Sequence, residues 1–127
     1  MPKVLVVDED EQFLKYISAA LRKVKNTQVE IMPTASKGLD CAKKIEFDVV
    51  ISDFRMQDMD GVSFLKKMRQ LQPNAMRIMA SMVCDRSALF GAINEAHVHR
   101  FVEKPCHLDI LSKIVMEALY ERESETA

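Results

Sequence analysis

The 127-residue chain has little net charge, few cysteines and no long apolar run. Lys and Arg total 18 against 19 Asp and Glu, a net charge of -1. That leaves no surplus of cations to gather on a phosphate-binding face, so direct nucleic-acid binding by this chain alone is not expected. Cys41, Cys84 and Cys106 are odd in number and widely spaced, which suits neither a disulfide framework nor a zinc site. They read as reduced structural thiols, since free cysteine behaves mostly as a small buried hydrophobe; the nine methionines read as core filler. No apolar run approaches the roughly 20 residues that span a bilayer. Met1-Pro2-Lys3 leads into a strand-like run and then acids, with no signal core. There is no internal repeat and no low-complexity segment. The expectation is one cytoplasmic domain without membrane attachment, its 48% hydrophobic and 29% charged residues matching a globular core of ordinary size.

What is present is an alternation of short apolar runs and amphipathic stretches. Val4-Leu5-Val6-Val7 and Val49-Val50-Ile51 lack polar alternation, so both faces of these strands should be covered, as in a parallel sheet flanked by helices. Val29-Glu30-Ile31-Met32, Arg77 to Ser81 and Arg100 to Glu103 read as three further strands. Between them, Phe13, Ile17, Ala20, Leu21 and Val24 recur at helical spacing through Lys25. Ala35, Leu39, Ala42 and Ile45 do so behind Thr34 or Ser36 as cap, and Val62, Phe64, Leu65, Met68 and Leu71 do so up to Pro73. Ala88, Leu89, Ala92, Ile93 and Ala96 give a fourth helix one apolar face. A fifth helix carries Leu108, Leu111, Ile114, Val115, Ala118 and Leu119, and fades into a charged, aperiodic tail at Glu121 to Ala127. Five alternations with helix-length crossovers predict an open, doubly wound α/β fold with a five-stranded parallel sheet.

In such a sheet the strands' carboxyl ends share one edge, where ligands and chemistry collect. Asp8-Glu9, Asp53, Ser81 and Lys104 each close a strand, so three acids, a hydroxyl and an ammonium are expected to converge. Two carboxylates ~4.5 Å apart repel by roughly 3 to 4 kcal/mol at an effective dielectric near 20. Lys104 offers one counter-charge and a divalent cation would supply the rest. An all-oxygen donor set points to a hard ion, Mg²⁺ or else Mn²⁺. Taken singly, Asp10, Glu11, Asp58 and Asp60 read as solvated loop acids.

The segments VVDED at 6 to 10, SDFRMQDMDG at 52 to 61, Ser81 closing a strand and EKP at 103 to 105, in that order and over essentially the whole chain, resemble the receiver domain of bacterial two-component response regulators. The resemblance implies a flavodoxin-like strand order of 2-1-3-4-5 in a receiver spanning 1–121, with 122–127 a tail or the start of a linker. It implies that Asp53 is the phosphoacceptor, served by a histidine kinase or phosphotransfer protein, or by a small acyl phosphate. It implies that Asp8, Glu9, Asp53 and the backbone carbonyl of Arg55 hold the metal, and that Lys104 steadies the phosphoryl oxygens. Ser81 and Phe101 match the switch pair, reporting through the fourth helix, fifth strand and fifth helix to an effector protein or fused output domain. Homodimerisation through the same surface is compatible with this reading. Such a domain assists its own modification and is not an enzyme acting on a metabolite. Pro105 stands where the family often has a cis peptide.

The chain departs from that pattern at four positions. Glu9 replaces the commoner Asp, and Gln57 replaces a Pro, which frees φ and should loosen the loop. Met82 follows Ser81 where Gly or Ala is usual, and Cys106 replaces an aromatic. A thioether beside the acceptor would shield an acyl phosphate or obstruct its donor. An alternative comes from Asp8-x-Asp10, which resembles the nucleophile motif of haloacid-dehalogenase-type phosphatases, with Asp8 as nucleophile. A flavin carrier on the same topology is disfavoured, because acids rather than a Ser/Thr/Gly phosphate loop follow the first strand.

Overall fold

The unalternated runs at 4–7 and 49–51 fill both faces of the sheet at once. Val4 and Val6 pack with Val49 and Ile51 in one core, while Leu5, Val7 and Val50 lie in a second core on the other face. A computed structural model describes residues 1–24, 26–82 and 86–126, the side chains of residues 86–88 and 125–126 excepted. Among the described residues, five strands alternate with five helices: β1 (Lys3–Val7), α1 (Glu11–Leu21), β2 (Gln28–Met32), α2 (Ala35–Ala42), β3 (Val49–Ser52), α3 (Gly61–Leu71), β4 (Met76–Met82), α4 (Arg86–Asn94), β5 (Arg100–Lys104) and α5 (Leu108–Thr126). All pairings are parallel and the sheet order is β2-β1-β3-β4-β5, the predicted doubly wound, flavodoxin-like arrangement. The first core is closed by Leu14, Ile17 and Leu21 of α1 and by Leu111, Val115 and Ala118 of α5. The second is closed by Ala35 of α2, Phe64, Leu65 and Met68 of α3 and Ala92 of α4. No helix among the described residues is long and apolar enough to cross a membrane.

Several element ends differ from the periodicity. α1 stops at Leu21 because the amides of Lys23 and Val24 turn back to the carbonyls of Ala20 and Leu21 at 3.2 and 3.0 Å, a tightened last turn; Val24 is buried beyond it, and Lys25 lies outside the described residues. Thr34, rather than Ser36, caps α2. That helix ends at Ala42, short of Ile45, because Gln72 captures its exit. The Gln72 amide donates to the carbonyls of Ala42 and Ile45, both at 2.7 Å, and accepts the Phe47 N–H at 2.7 Å. α5 does not fade at Glu121 but continues to Thr126, with Glu121 paired to Arg100 and Arg122 lying 4.0 Å from Glu46. Ala127 lies outside the described residues.

α4 is the largest departure. Ala92 and Ala96 are buried as expected, but Leu89 and Ile93 of the same predicted face are 38 and 55% exposed, and Phe90 beside them is 63% exposed. The helix sits on α3 through its small residues: a side chain at Gly91 would already meet Val62 at 3.3 Å. Larger neighbours are held out of the core. Ala88 is outside the described side chains. Cys41 and Cys106 are free and half-buried. Burial pushes both thiols up, at Cys41 with help from the nearby Glu30 charge, which keeps them protonated and inert. Cys84 lies outside the described residues. Of the methionines, Met56, Met68, Met76 and Met79 fill the core, whereas Met82 and Met116 are exposed.

Candidate functional site

Parallel register carries the strand-end residues to one edge. The ladder extends a residue past β1 and β3, where the Asp8 N–H reaches the Met32 carbonyl at 3.1 Å and the Asp53 N–H reaches the Val7 carbonyl at 3.2 Å. The two carboxylates are thus set side by side. β5 delivers Lys104 opposite Met82, and its ammonium lies 2.5 Å from Asp8 Oδ2 and 3.7 Å from Asp53 Oδ1. The Lys104 side chain is only 13% exposed. The Lys104–Pro105 peptide is cis.

The three groups differ in their surroundings. Asp8 is 1% exposed, and its Oδ1 also accepts the Asp10 N–H at 2.9 Å. Burial holds its carboxyl above the ordinary value of 3.8, an effect that Lys104 and the Asp10 amide offset only in part. Asp53 is more accessible, 18% at the side chain. Its Oδ1 accepts the Phe54 N–H at 2.8 Å, while Oδ2 has no protein hydrogen bond among the described residues. One oxygen is held and the other is open to attack an electrophile.

The raised pKa of Asp8 makes a sign-definite prediction. The native state holds this proton more tightly than the unfolded chain, so folding takes up a proton between pH 3.8 and the raised value, and stability falls as pH rises through that window. At neutral pH the ionised carboxylate therefore costs the metal-free protein stability. Asp8→Asn should raise the thermal midpoint there and lose its advantage below about pH 4. Melting curves of both proteins across this range check it; a variant less stable at every pH would contradict it.

The loops at this edge are tied by carboxylates that are not merely solvated. Asp10 caps α1, accepting the amides of Gln12 and Phe13 at 2.9 and 3.3 Å, and Glu11 opens the first turn of that helix. Asp60 caps α3 through the Ser63 amide at 2.8 Å. Asp58 reaches the start of α2, accepting the Ser36 N–H at 2.8 Å. Glu9 accepts the Gln57 N–H, a donor that proline at 57 would lack. Gln57 thus ties its loop to the segment that follows β1 instead of only loosening it. Gly61 lies so close to Asp53 that an added Cβ would stand 2.0 Å from the Asp53 carbonyl oxygen.

Ser81 is buried at the end of β4. Ser52 pairs with Met79, so Ser81 stands two residues farther along, with no hydrogen bond to Asp53. Phe101 pairs with Met79 across β4 and β5 and is half-buried against the second core. Arg55 lines a hollow of about 590 Å³ together with Asp8, Glu9, Asp53 and Gln57. Its lining supplies carboxylate and backbone oxygens and no His or Cys, the donor chemistry of Mg²⁺. Among the described residues no three His, Cys, Asp or Glu side chains are gathered as a metal-ligand set, so Glu9, bonded to the Gln57 N–H, is not brought together with Asp8 and Asp53 as expected. A hollow of about 740 Å³ between α1 and α5 includes Lys23 and Val24; because these follow the C-terminal end of α1, it lies toward the opposite edge of the sheet.

The structure brings Asp8, Asp53 and Lys104 together and adds two neighbours that the sequence pattern did not indicate. Phe13, read only as a helix-face apolar residue, places its ring 4.0 Å from the Lys104 ammonium. Tyr16, which carried no signal, donates its hydroxyl to the Cys106 carbonyl at 2.5 Å.

Known proteins resemble this chain in sequence and fold. The sequence matches the family described as response regulator receiver domain over residues 4–116. It is 31% identical to the chemotaxis protein CheY of Listeria monocytogenes, over 94% of this chain and 96% of that protein. It is 33% identical to the hydrogenase transcriptional regulatory protein HoxA of Bradyrhizobium diazoefficiens, over 98% of this chain but only 26% of the regulator; the chain spans about a quarter of that relative's length. The crystal structure of a CheY-like response regulator receiver domain protein from Methanospirillum hungatei superposes with a TM-score of 0.92 at 27% identity, covering 98% of both chains. With its carboxylate pair and lysine at the carboxyl edge of a 2-1-3-4-5 sheet, the chain belongs to the response regulator receiver domain family, a regulatory phosphoacceptor module of two-component signalling rather than an enzyme.

Proposed function

We propose that Asp53 accepts a phosphoryl group from a histidine kinase or phosphotransfer protein, or from a small acyl phosphate. The carrying observation is the Lys104 ammonium set between Asp8 Oδ2 and Asp53 Oδ1 at 2.5 and 3.7 Å. Asp53 Oδ2 attacks phosphorus in line; the new P–O bond forms as the P–N bond of phosphohistidine, or the P–O bond of the acyl phosphate, breaks. The leaving imidazole or carboxylate carries away the bonding pair. Lys104, 3.7 Å from the other carboxylate oxygen, Oδ1, meets the negative charge spread over the equatorial oxygens. Catalysis here is mostly positioning and electrostatics. Asp8, Glu9, Asp53 and the carbonyl of Arg55 would hold Mg²⁺, which supplies further charge neutralisation. Gln57 positions Glu9 for that task through its N–H.

The acyl phosphate adds about -1.5 to -2 charge at the sheet edge. Ser81 takes a hydrogen bond role toward it and Phe101 follows by turning inward, altering the surface of α4, β5 and α5 toward an effector protein, an output domain or a second copy. The exposed Leu89, Phe90 and Ile93 on α4 support that assignment. We take residues 1–121 as the receiver and 122–127 as a helical extension toward whatever it serves. Against the phosphatase alternative, both oxygens of Asp8 are engaged, Oδ1 by the Asp10 N–H and Oδ2 by Lys104, and Asp10 is turned toward the α1 amides.

Met82, 64% exposed, borders the same groove as Lys104. Met82→Ala should lose its phosphoryl group several-fold faster, followed by the decay of phosphoprotein; equal rates remove the shielding role. The function itself is tested by incubation with acetyl phosphate and Mg²⁺. Wild type should gain a phosphoryl group in a metal-dependent way and Asp53→Asn should not. No uptake where another receiver reacts would contradict it.

A further inference from the structure

Lys104 is gripped from a third side by a group that carries no charge. The ring of Phe13 lies 4.0 Å from Nζ, within the distance at which an aromatic face attracts an ammonium. Phe13 sits in the first turn of α1, where its own amide donates to the Asp10 cap at 3.3 Å. The ring is half-buried against the first core, so its position is fixed from behind and below. In front it forms part of a groove of about 390 Å³ with Tyr16, Met82, Lys104, Pro105 and Cys106. Tyr16, three residues on and so on the same helix face, ties that groove's far wall by its hydrogen bond to the Cys106 carbonyl.

These contacts solve a problem the carboxylates alone leave open. Asp8 Oδ2, at 2.5 Å, is much nearer the ammonium than Asp53 Oδ1, at 3.7 Å. Without a further restraint, the flexible lysine stem could collapse fully onto Asp8 or swing out to water. A cation over a ring keeps its favourable energy through small lateral shifts, unlike a directed hydrogen bond. The ring therefore confines the ammonium while leaving it able to move toward a phosphoryl oxygen on Asp53.

We propose that Phe13 is a positioning residue for phosphoryl transfer: its ring holds the Lys104 ammonium poised between Asp8 and Asp53. This rests on Asp53 being the acceptor. It also makes the ring the physical link between the outer groove and the chemistry, since anything seated against Met82 and Tyr16 touches the same aromatic that touches the ammonium.

Phe13→Leu keeps apolar volume and removes the π face; Phe13→Tyr keeps the face. By NMR, the Lys104 ε-methylene protons should be shifted upfield by the ring in wild type and in Phe13→Tyr, and should return to ordinary lysine positions in Phe13→Leu. Beryllofluoride, titrated in Mg²⁺ as a phosphoryl stand-in, should bind Phe13→Leu about tenfold more weakly, the size of a partly desolvated cation–π contact. Phe13→Tyr should bind it as wild type does, and Mg²⁺ affinity alone should be equal in all three. An unshifted methylene in wild type overturns the contact whatever occurs at Asp53. Beryllofluoride binding that weakens in both variants or in neither overturns the positioning role while the acceptor assignment stands. A wild-type protein that binds no beryllofluoride overturns the acceptor assignment and this proposal with it.

Discussion

Lys104→Met is expected to slow phosphoryl uptake from acetyl phosphate by about a hundredfold to a thousandfold, the usual cost of removing one preorganised charge partner from a developing anion. The substitution keeps an unbranched apolar stem of similar length, so the packing beside Phe13 survives while the ammonium is lost. The same change has an opposite effect on the ground state. With the cation gone, Asp8 and Asp53 face each other uncompensated, and a divalent ion no longer competes with an ammonium 2.5 Å from Asp8. Mg²⁺ should therefore bind several-fold more tightly as the rate collapses. Titration of Mg²⁺ beside a phosphorylation time course reads both signs. A variant that loses metal affinity and rate together would show that Lys104 serves the architecture of the site rather than the transfer.

Gly61→Ala produces the largest loss of stability expected of a single methyl group in this fold. Its Cβ would lie 2.0 Å from the Asp53 carbonyl oxygen and 2.9 Å from the Phe54 Cα. Both are backbone atoms that no rotamer change can move aside. The Gly61 amide is bound to the Phe54 carbonyl at 2.7 Å, so α3 cannot retreat without breaking that bond. Overpacking of this kind costs about 3 kcal/mol, roughly a 10–15 °C fall in thermal midpoint for a chain of this size. Gly38→Ala is the fitting comparison. Its Cβ would meet the Val7 Cγ2 at 2.6 Å and the Phe64 ring at 3.2 Å, buried side-chain atoms rather than backbone, so the loss should be smaller. Equal midpoints for wild type and Gly61→Ala would show that the α3 start is not seated on the Asp53 backbone. Where Gly61→Ala remains folded, at low temperature, phosphoryl uptake should still be impaired because the displaced backbone carries Asp53.

The parts of this molecule that were legible in the sequence are those specified by short-range pattern. Val4 to Val7 and Val49 to Ile51 announce strands buried on both faces, and the residue closing each strand is thereby assigned to one edge. Asp8, Asp53 and Lys104 meet because topology leaves them nowhere else to go. Thr34 could be read as a cap from its place before α2; Asp10 and Asp60 carried the same signal before α1 and α3, yet read as loop acids.

What could not be read depends on contacts between distant segments. Gln72 ends α2 from 30 residues away, and Asp58 braces the start of that helix from a different loop, 22 residues distant. The bond from Gln57 to Glu9 spans 48 residues. It links two departures from the family pattern that looked unrelated. The exposure of Leu89, Phe90 and Ile93 reflects how closely the small residues of α4 approach α3, which periodicity does not encode. Phe13 shows the limit most clearly, since a ring that packs on a core and a ring that holds an ammonium have the same spacing along a helix.

The central claim is that Asp53, and no other carboxylate at this edge, becomes acylated. The direct measurement is to phosphorylate the protein with acetyl phosphate and Mg²⁺, trap the acyl phosphate by reduction with borohydride, and map the altered residue by peptide mass spectrometry. The modification is expected on Asp53 alone, absent without the metal; modification of Asp8, or none on Asp53 where another receiver is labelled, would contradict the account.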